Sequence, residues 1–471
     1  MSIPVVSVAQ MREWEKATWA DGVREDDVMR RAGEAVARAV ERLTRPHDLV
    51  LFLAGRGHNG DDTVYAHEFV TNRQRELLRV IEPEKSIGEL EAALRRRPAL
   101  VVDGLFGIGL NRALAGSWMD FIEHLNASRR PVLAVDVPSG LSADSGLPLD
   151  LAVRASVTLT LGAVKRGLIQ SSAAAFTGRL EVAVDIGLLP YPFTTEVGWL
   201  TPEDFRDYPP ARPVAGHKGT FGHLAIVAGS LGYHGAAVLT ARGAQRAQPG
   251  LITLGTTRDA YAPVAAQLQS VMVHPWTDEL ALPKNCTAIV AGPGLAGGDV
   301  PESVQRQLRR FWQNAPQAML ADATALEWLP EGPVPEESVR VITPHPGEAA
   351  RLLGSSTAKV QEDRVHALRE LSRRFGNCHV VLKGHQTLIG RAKEELSVNS
   401  SGNPFLGQGG SGDLLAGYLG GLLAQPELQR EAGRALRFGV WQHGAAADAL
   451  LASRLNFTIE DLAGYIGGVR V

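Results

Sequence analysis

Cysteine is almost missing from this chain: Cys286 and Cys378 are the two among 471 residues. They stand far apart without CxxC spacing, which argues against a disulfide framework and a zinc site and leaves two buried thiols in a reducing compartment. A basic excess is missing too. With 48 Lys and Arg against 51 Asp and Glu, and no long basic run, there is no electrostatic footprint for nucleic acid or an anionic membrane, so a small-molecule ligand is favoured. No apolar run approaches the roughly 18 residues of a membrane span, and the start, MSIPVVSVAQMREWEKATW, lacks a basic stretch followed by an apolar core. A cytoplasmic location is the expectation.

What is present is α/β patterning. The apolar residues Val28, Met29, Ala32, Val36, Val40 and Leu43, within a segment running from Ser7, recur at three- and four-residue steps as on one stripe of a helix. Short apolar runs follow at 49–55, 99–107, 131–140, 156–162 and 180–187, mostly separated by helix-length segments. A second series occupies 222–230, 250–256, 287–294, 318–323, 339–348 and 379–387. Near-continuous apolar strands alternating with helices imply a largely parallel sheet covered on both faces. The expected fold class is therefore α/β, with two Rossmann-like three-layer α/β/α domains in succession. Proline-rich, irregular sequence at 191–219 puts the boundary near residue 205, giving domains 1–205 and 206–471.

Parallel sheets bind ligands beyond the carboxyl ends of their strands. The stretch GNPFLGQGGSGDLLAG, Gly402 to Gly417, gathers six glycines around one carboxylate, Asp413. Gly409, Gly410 and Gly412 let the backbone curl and turn successive amides toward an anion. Leu414, Leu415 and Ala416 are expected to open a helix whose unpaired amides add positive potential. Beside a phosphate, Asp413 suits a group that takes a proton from an attacking hydroxyl. The plainer reading is an acidic helix cap.

These residues resemble the ribokinase-like superfamily, whose GxGD loop forms an anion hole and supplies the base; Gly410-Ser411-Gly412-Asp413 matches it. More narrowly, HKGTFGH (217–223), GPG (292–294), TPHPGE (343–348), KGHQT (383–387) and NPFLGQGGSGD (403–413) resemble, in order, the nucleotide-dependent NAD(P)HX dehydratases. The resemblance implies a ribokinase-like domain that phosphorylates the C6 hydroxyl of hydrated NADH or NADPH from ADP or ATP and then eliminates phosphate. Asp413 would be the base. Glu348 would act on Mg2+ through water, and His345, Ala236 and Gly294 would meet the substrate. Lys383, Gly384, His385, Gln386 and Thr387, with Gly410 and Gly412, would hold the nucleotide. His443 and Asp448 are weaker candidates that also suit helix packing. The chain has Asp322-Ala323-Thr324-Ala325-Leu326 where the family commonly carries a second aspartate, a change expected to touch polar contacts only.

In the first half, Gly55-x-Gly57-x-x-Gly60 follows the first strand, with Glu82 beyond the next, in the outline of a dinucleotide fingerprint. DGLFGIGLNR (103–112) and VDVPSGLSADSG (135–146) redirect that reading, each placing an aspartate at a strand end before a glycine-bearing loop. Together with Gly57 to Asp62, MRRAGEAVA (29–37) and LGAVKRGL (161–168), they resemble the NAD(P)HX epimerase family, the usual fusion partner of the dehydratase. By that resemblance Asn59, Asp103 and Ser139 would bind K+, and Asp136 would be the acid/base at the hydrated ring. Asn59, Gly60, Asp61, Asp62, Gly107, Ile108, Gly109 and Leu110 would hold the substrate. The usual Asn-Asn-Gly-Gly-Asp-Gly run reads His58-Asn59-Gly60-Asp61-Asp62-Thr63, and Ile108 replaces a threonine. A bifunctional repair enzyme, expected as a homo-oligomer, is the leading reading. The alternative is a vitamin or sugar kinase with a non-catalytic nucleotide-binding first domain.

Overall fold

The computed structural model describes residues 2–276, 280 and 282–470. Two compact units result, Ile3–Glu196 and Val197–Val471. The division lies ahead of residue 205 because strand β9 (Val197–Trp199) pairs in parallel with β18 (Leu396–Val398).

In the first unit β1 (Ile3–Val6) leads into α1 (Val8–Ala20) and α2 (Glu25–Leu43). The apolar stripe lies wholly on α2, since the chain leaves α1 through Gly22 at φ 90°. Next come β2 (Leu49–Ala54), α3 (His58–Phe69), β3 (Gln74–Arg79), α4 (Pro83–Arg95), β4 (Leu100–Gly104), α5 (Gly116–Ala127) and β5 (Val132–Val135). The unit closes with β6 (Val157–Leu161), β7 (Val164–Lys165), α6 (Ala174–Thr177) and β8 (Arg179–Ala183). Six strands form a parallel sheet in the order β3-β2-β4-β5-β6-β8. Strand residues alternate between faces: Val50 and Phe52 pack with α2, Leu51 and Leu53 with Leu90 of α4 and Phe121 of α5. Both faces are covered, which is why β2 reads as one apolar run.

The second unit continues with β10 (His223–Val227), α7 (His234–Ala247), β11 (Leu251–Thr256), α8 (Arg258–Ala265), β12 (Met272–Pro275), β13 (Ala288–Ala291), α9 (Glu302–Asn314) and β14 (Ala318–Ala321). It then runs through β15 (Arg340–Ile342), α10 (Pro346–Leu353), α11 (Thr357–Glu362), α12 (Arg364–Arg374), β16 (His379–Leu382), β17 (Leu388–Gly390) and the β18 strand. Last are α13 (Ser411–Leu423), α14 (Pro426–Gln429), α15 (Ala432–Leu451) and α16 (Ile459–Tyr465). The sheet order is β12-β11-β10-β13-β14-β15-β16-β17-β18-β9. It is parallel from β12 to β16, but β17 runs antiparallel to both of its neighbours, a reversal the sequence pattern did not signal. Leu224, Val290 and Leu320 of the sheet join Val238, Leu419 and Val440 of α7, α13 and α15 in one apolar cluster.

Candidate active sites

Strands β14, β15 and β16 end side by side, with Ala321 opposite Ile342 and Ile342 opposite Val380. Asp322, Thr343 and Lys383 therefore leave the sheet at one place. Asp322 is 2% exposed, and its Oδ1 accepts from Lys383 Nζ at 2.7 Å and from Thr343 Oγ1 at 2.8 Å. Helix α13 aims its first turn at this pair: a Cβ on Gly412 would stand 3.3 Å from Lys383 Nζ and 3.9 Å from Asp322 Oδ2. The helix begins at Ser411, earlier than the expected Leu414, so Asp413 lies within its first turn.

Asp413 is not a helix cap. Gly410, at φ 91°, occupies the capping position, and among the described residues the Asp413 carboxylate makes no hydrogen bond. Burial first, then the negative charges of Asp322 and Glu348, push its pKa up to about 6, with Lys383 opposing them. Burial works against the charge on Lys383, yet Asp322, Glu348 and Asp413 outweigh it and hold that pKa above its ordinary value. The result is one ammonium among three carboxylates, of which Asp413 alone lacks a hydrogen-bond partner among the described residues.

Glu348 and His345 cap α10 reciprocally: His345 Nδ1 accepts from the amides of Gly347 and Glu348 at 3.0 and 3.3 Å, and Glu348 Oε2 accepts from the His345 amide at 2.8 Å. With Nδ1 accepting, the proton of the neutral ring sits on Nε2. The His345 side chain is 53% exposed. The 383–387 turn is organised by Arg364, a residue not singled out in sequence. Its guanidinium is buried and donates to the carbonyls of His385 at 2.7 Å, Gln386 at 3.2 Å and Leu382 at 3.2 Å. Gly384 and Gln386 take φ values of 136° and 54° there. Gly294 and Ala236 do meet: a Cβ on Gly294 would lie 2.9 Å from that of Ala236. Ser230, also missed, donates to the Gly294 carbonyl at 2.6 Å. His443 is buried 3.4 Å from Ser411 Oγ, with burial lowering its pKa to about 4, and Asp448 accepts from the Gly402 amide and Asn403 Nδ2 at 2.8 and 2.9 Å. Both support the loop before α13.

In the first unit the ends of β2, β4 and β5 converge, with Leu53 opposite Asp103 and Asp103 opposite Ala134. Asp103 is fully buried; it accepts from Ser139 Oγ at 2.6 Å and from the amides of Ser139 and Leu105 at 2.9 and 3.3 Å. Burial raises its pKa to about 6 against those bonds. Asn59 joins through Phe106, whose carbonyl accepts from Asn59 Nδ2 at 2.8 Å and whose amide donates to Ser139 Oγ at 2.9 Å. Among the described residues Asp103 has no cationic partner, and no group of three or more His, Cys, Asp or Glu gathers to hold a metal.

Asp136 sits at the end of β5 in the left-handed region, φ 64°, a strained position for a residue other than glycine. Its Oδ1 accepts from Thr160 Oγ1 at 3.1 Å, from the Leu161 amide at 3.0 Å and from Lys165 Nζ. Lys165 is 1% exposed and also donates to the Leu161 carbonyl at 2.7 Å. It was legible only as part of LGAVKRGL, with no role attached. Asp62 is buried with Oδ1 unpartnered among the described residues; burial first, then Asp136, Asp61 and Glu15, raise its pKa well above the ordinary range. Glu15 of α1, not singled out in sequence, is raised chiefly by burial and shares the field of Lys165 and Asp136.

The altered loop is accommodated. Asp61 turns toward Arg79, 3.4 Å away, and exposed His58 toward Glu25, also at 3.4 Å. Thr63 is buried over Gly104 and donates to the Asn59 carbonyl at 2.8 Å. Ile108 packs on the cluster of Met11 and Trp14. Glu82 starts α4 as an exposed residue and takes no part.

A family model described as NAD(P)H-hydrate dehydratase matches residues 224–466, and one described as YjeF-related protein N-terminus matches residues 72–167. The chain is similar to a bifunctional NAD(P)H-hydrate repair enzyme of Escherichia coli, 34% identical over 90% of this chain and 85% of that one. A relative of the same description from Gloeobacter violaceus is 35% identical over 95% and 94%. A crystal structure of the ADP/ATP-dependent NAD(P)H-hydrate dehydratase from Bacillus subtilis, co-crystallised with ATP and Mg2+, superposes with a TM-score of 0.50 at 29% identity, covering 56% of this chain and 95% of that one. With both halves matched in order and relatives above 30% identity along nearly the whole length, the chain belongs to the bifunctional NAD(P)H-hydrate repair enzyme family.

Proposed function

We propose that the second unit removes water from (6S)-NAD(P)HX at the expense of ADP or ATP, and that the first unit interconverts the R and S hydrates. The observation that carries the reading is the Asp413 carboxylate, free of hydrogen-bond partners among the described residues, at the mouth of α13 beside the Asp322–Lys383 pair. Asp413 takes the proton from the C6 hydroxyl as its oxygen attacks the phosphoryl group. Phosphate then leaves C6 while a proton leaves the adjacent ring carbon, which restores the dihydropyridine. Phosphorylation makes a poor leaving group a good one. The glycine turn at 409–412 and the α13 N-terminus suit the transferring phosphate. The turn at 383–387, clamped by Arg364, suits the nucleotide, and Ala236, Gly294 and His345 suit the substrate.

Mg2+ when bound would offset the phosphate charges. The buried Glu348 carboxylate, whose field reaches Lys383 and Asp413, fits a role through water rather than direct ligation. The buried Asp103 carboxylate, without a cationic partner among the described residues, fits K+, which oxygens of Asn59 and Ser139 would help to hold. Asp136, held by Lys165 and Thr160, handles the proton at the hydrated carbon, and Asn59 to Asp62 with Gly107 to Leu110 suit the substrate.

The test is a time course of dihydronicotinamide absorbance after adding the protein, Mg2+, K+ and ADP, then separately ATP, to both NADHX epimers. Recovery to completion, faster than spontaneous epimerisation, is expected. No recovery with either nucleotide would remove the dehydratase reading in favour of a kinase, and recovery halting at the S fraction would leave the first unit silent.

A further inference from the structure

A cavity of about 940 Å³ opens in the second unit, away from Asp413. Tyr418 and Leu422 of α13 line it, roughly 8 and 14 Å along the helix from Asp413 at about 1.5 Å rise per residue. Its wall is strongly cationic although the whole chain carries a net charge of −3. Arg206, Arg212, Arg246, Arg430 and Arg470 line it against a single carboxylate, Glu427, among the described residues. Glu427 is already 2.8 Å from Arg430. The other four guanidinium groups have no carboxylate partner among the described residues.

Two of these arginines are held in place by neutral groups. Arg212 donates to Gln425 Oε1 at 3.1 Å and to the Gln248 carbonyl, and its guanidinium lies over the Phe221 ring at 4.2 Å. Arg246 Nε donates to the Ile466 carbonyl at 2.8 Å. Such contacts orient a guanidinium without neutralising it, leaving its remaining donors for a planar oxyanion. Gln442, 2% exposed in the same wall, keeps its Oε1 without a partner among the described residues. Pockets of roughly 300–1,000 Å³ accept whole small molecules rather than single ions.

We propose that this cavity is a second ligand site, for a phosphorylated small molecule of nucleotide size, separate from the site at Asp413. The phosphates lie against Arg206, Arg212, Arg246 and Arg470.

Hydrogen exchange on the full chain tests it, with inorganic tripolyphosphate in one arm and ATP with Mg2+ in the other. Tripolyphosphate is expected to slow exchange in 214–221 and 464–470. Slowing there by ATP alone would also support the site and identify the nucleoside as part of the ligand. Arg206 and Arg470 are exposed, so R206Q/R470Q keeps the fold and is expected to weaken that protection at least tenfold in ligand concentration. R212Q/R246Q is the second variant and is expected to do the same. Protection by both ligands confined to 383–387 and 409–414, or affinity unchanged in both double variants, would overturn the proposal.

Discussion

Replacing Asp413 by asparagine should abolish dehydration and at the same time stabilise the protein. Folding lifts the Asp413 pKa from 3.8 to about 6, through burial and then through Asp322 and Glu348. Between those values the folded state binds more protons at this position than the unfolded chain, so stability falls as pH rises through the window and stays lowered above it. At about 1.4 kcal/mol per pH unit the full effect is roughly 3 kcal/mol, and relaxation or water entry brings the expected figure to about 1–3 kcal/mol. Asparagine carries no charge at any pH. D413N should therefore match the wild type below about pH 4 and exceed it by that amount above about pH 6. Urea unfolding of both proteins at pH 4 and pH 8, without nucleotide, reads this difference directly. An asparagine variant no more stable than the wild type at pH 8, or one with the same advantage at both pH values, would refute the assignment of Asp413 as an unpaired, desolvated carboxylate.

Because the base must be ionised, kcat/KM for dehydration should rise with pH through about 6 and then level, as a pH profile on the S epimer would show. K383M leaves the buried Asp322 without its cation, so it should destabilise the protein by roughly 3–5 kcal/mol and move that rising limb to higher pH. R364A frees the carbonyls at 382, 385 and 386; KM for ADP or ATP should rise with a smaller loss in kcat, measured by steady-state kinetics. D136N should stop epimerisation and leave dehydration of pure S hydrate unchanged, which chiral chromatography of the hydrates can follow. Loss of S-hydrate dehydration in D136N would refute the division of labour.

Legibility differed between kinds of residue. Asp413 could be read because glycines crowd around it, and a run that dispenses with side chains beside one acid advertises a site. Asp103 and Asp136 could be read as strand-end acids followed by loops, whereas Ser139 was named through the family resemblance alone. Lys383 could be named but not oriented: whether it meets a nucleotide or Asp322 depends on β14 and β16 flanking β15. Arg364, Ser230, Lys165 and Glu15 carried no local signal, since a helix-start arginine or a lysine after a short strand is ordinary until its partners from distant segments are known. The β17 reversal was hidden for a similar reason, because a three-residue strand has too few alternations to show its direction.

The sequence by itself determined two α/β units, the identity of the glycine turns and the chemistry available at the strand ends. Those follow from local propensity, apolar periodicity and steric demands that neighbouring residues impose on one another. Tertiary structure alone decided the electrostatics. It placed Asp322, Lys383 and Glu348 within the field of Asp413, and Glu15, Asp62 and Lys165 within the field of Asp136. A carboxylate's pKa depends on its distance from water and from other charges, and folding sets those distances between residues far apart along the chain.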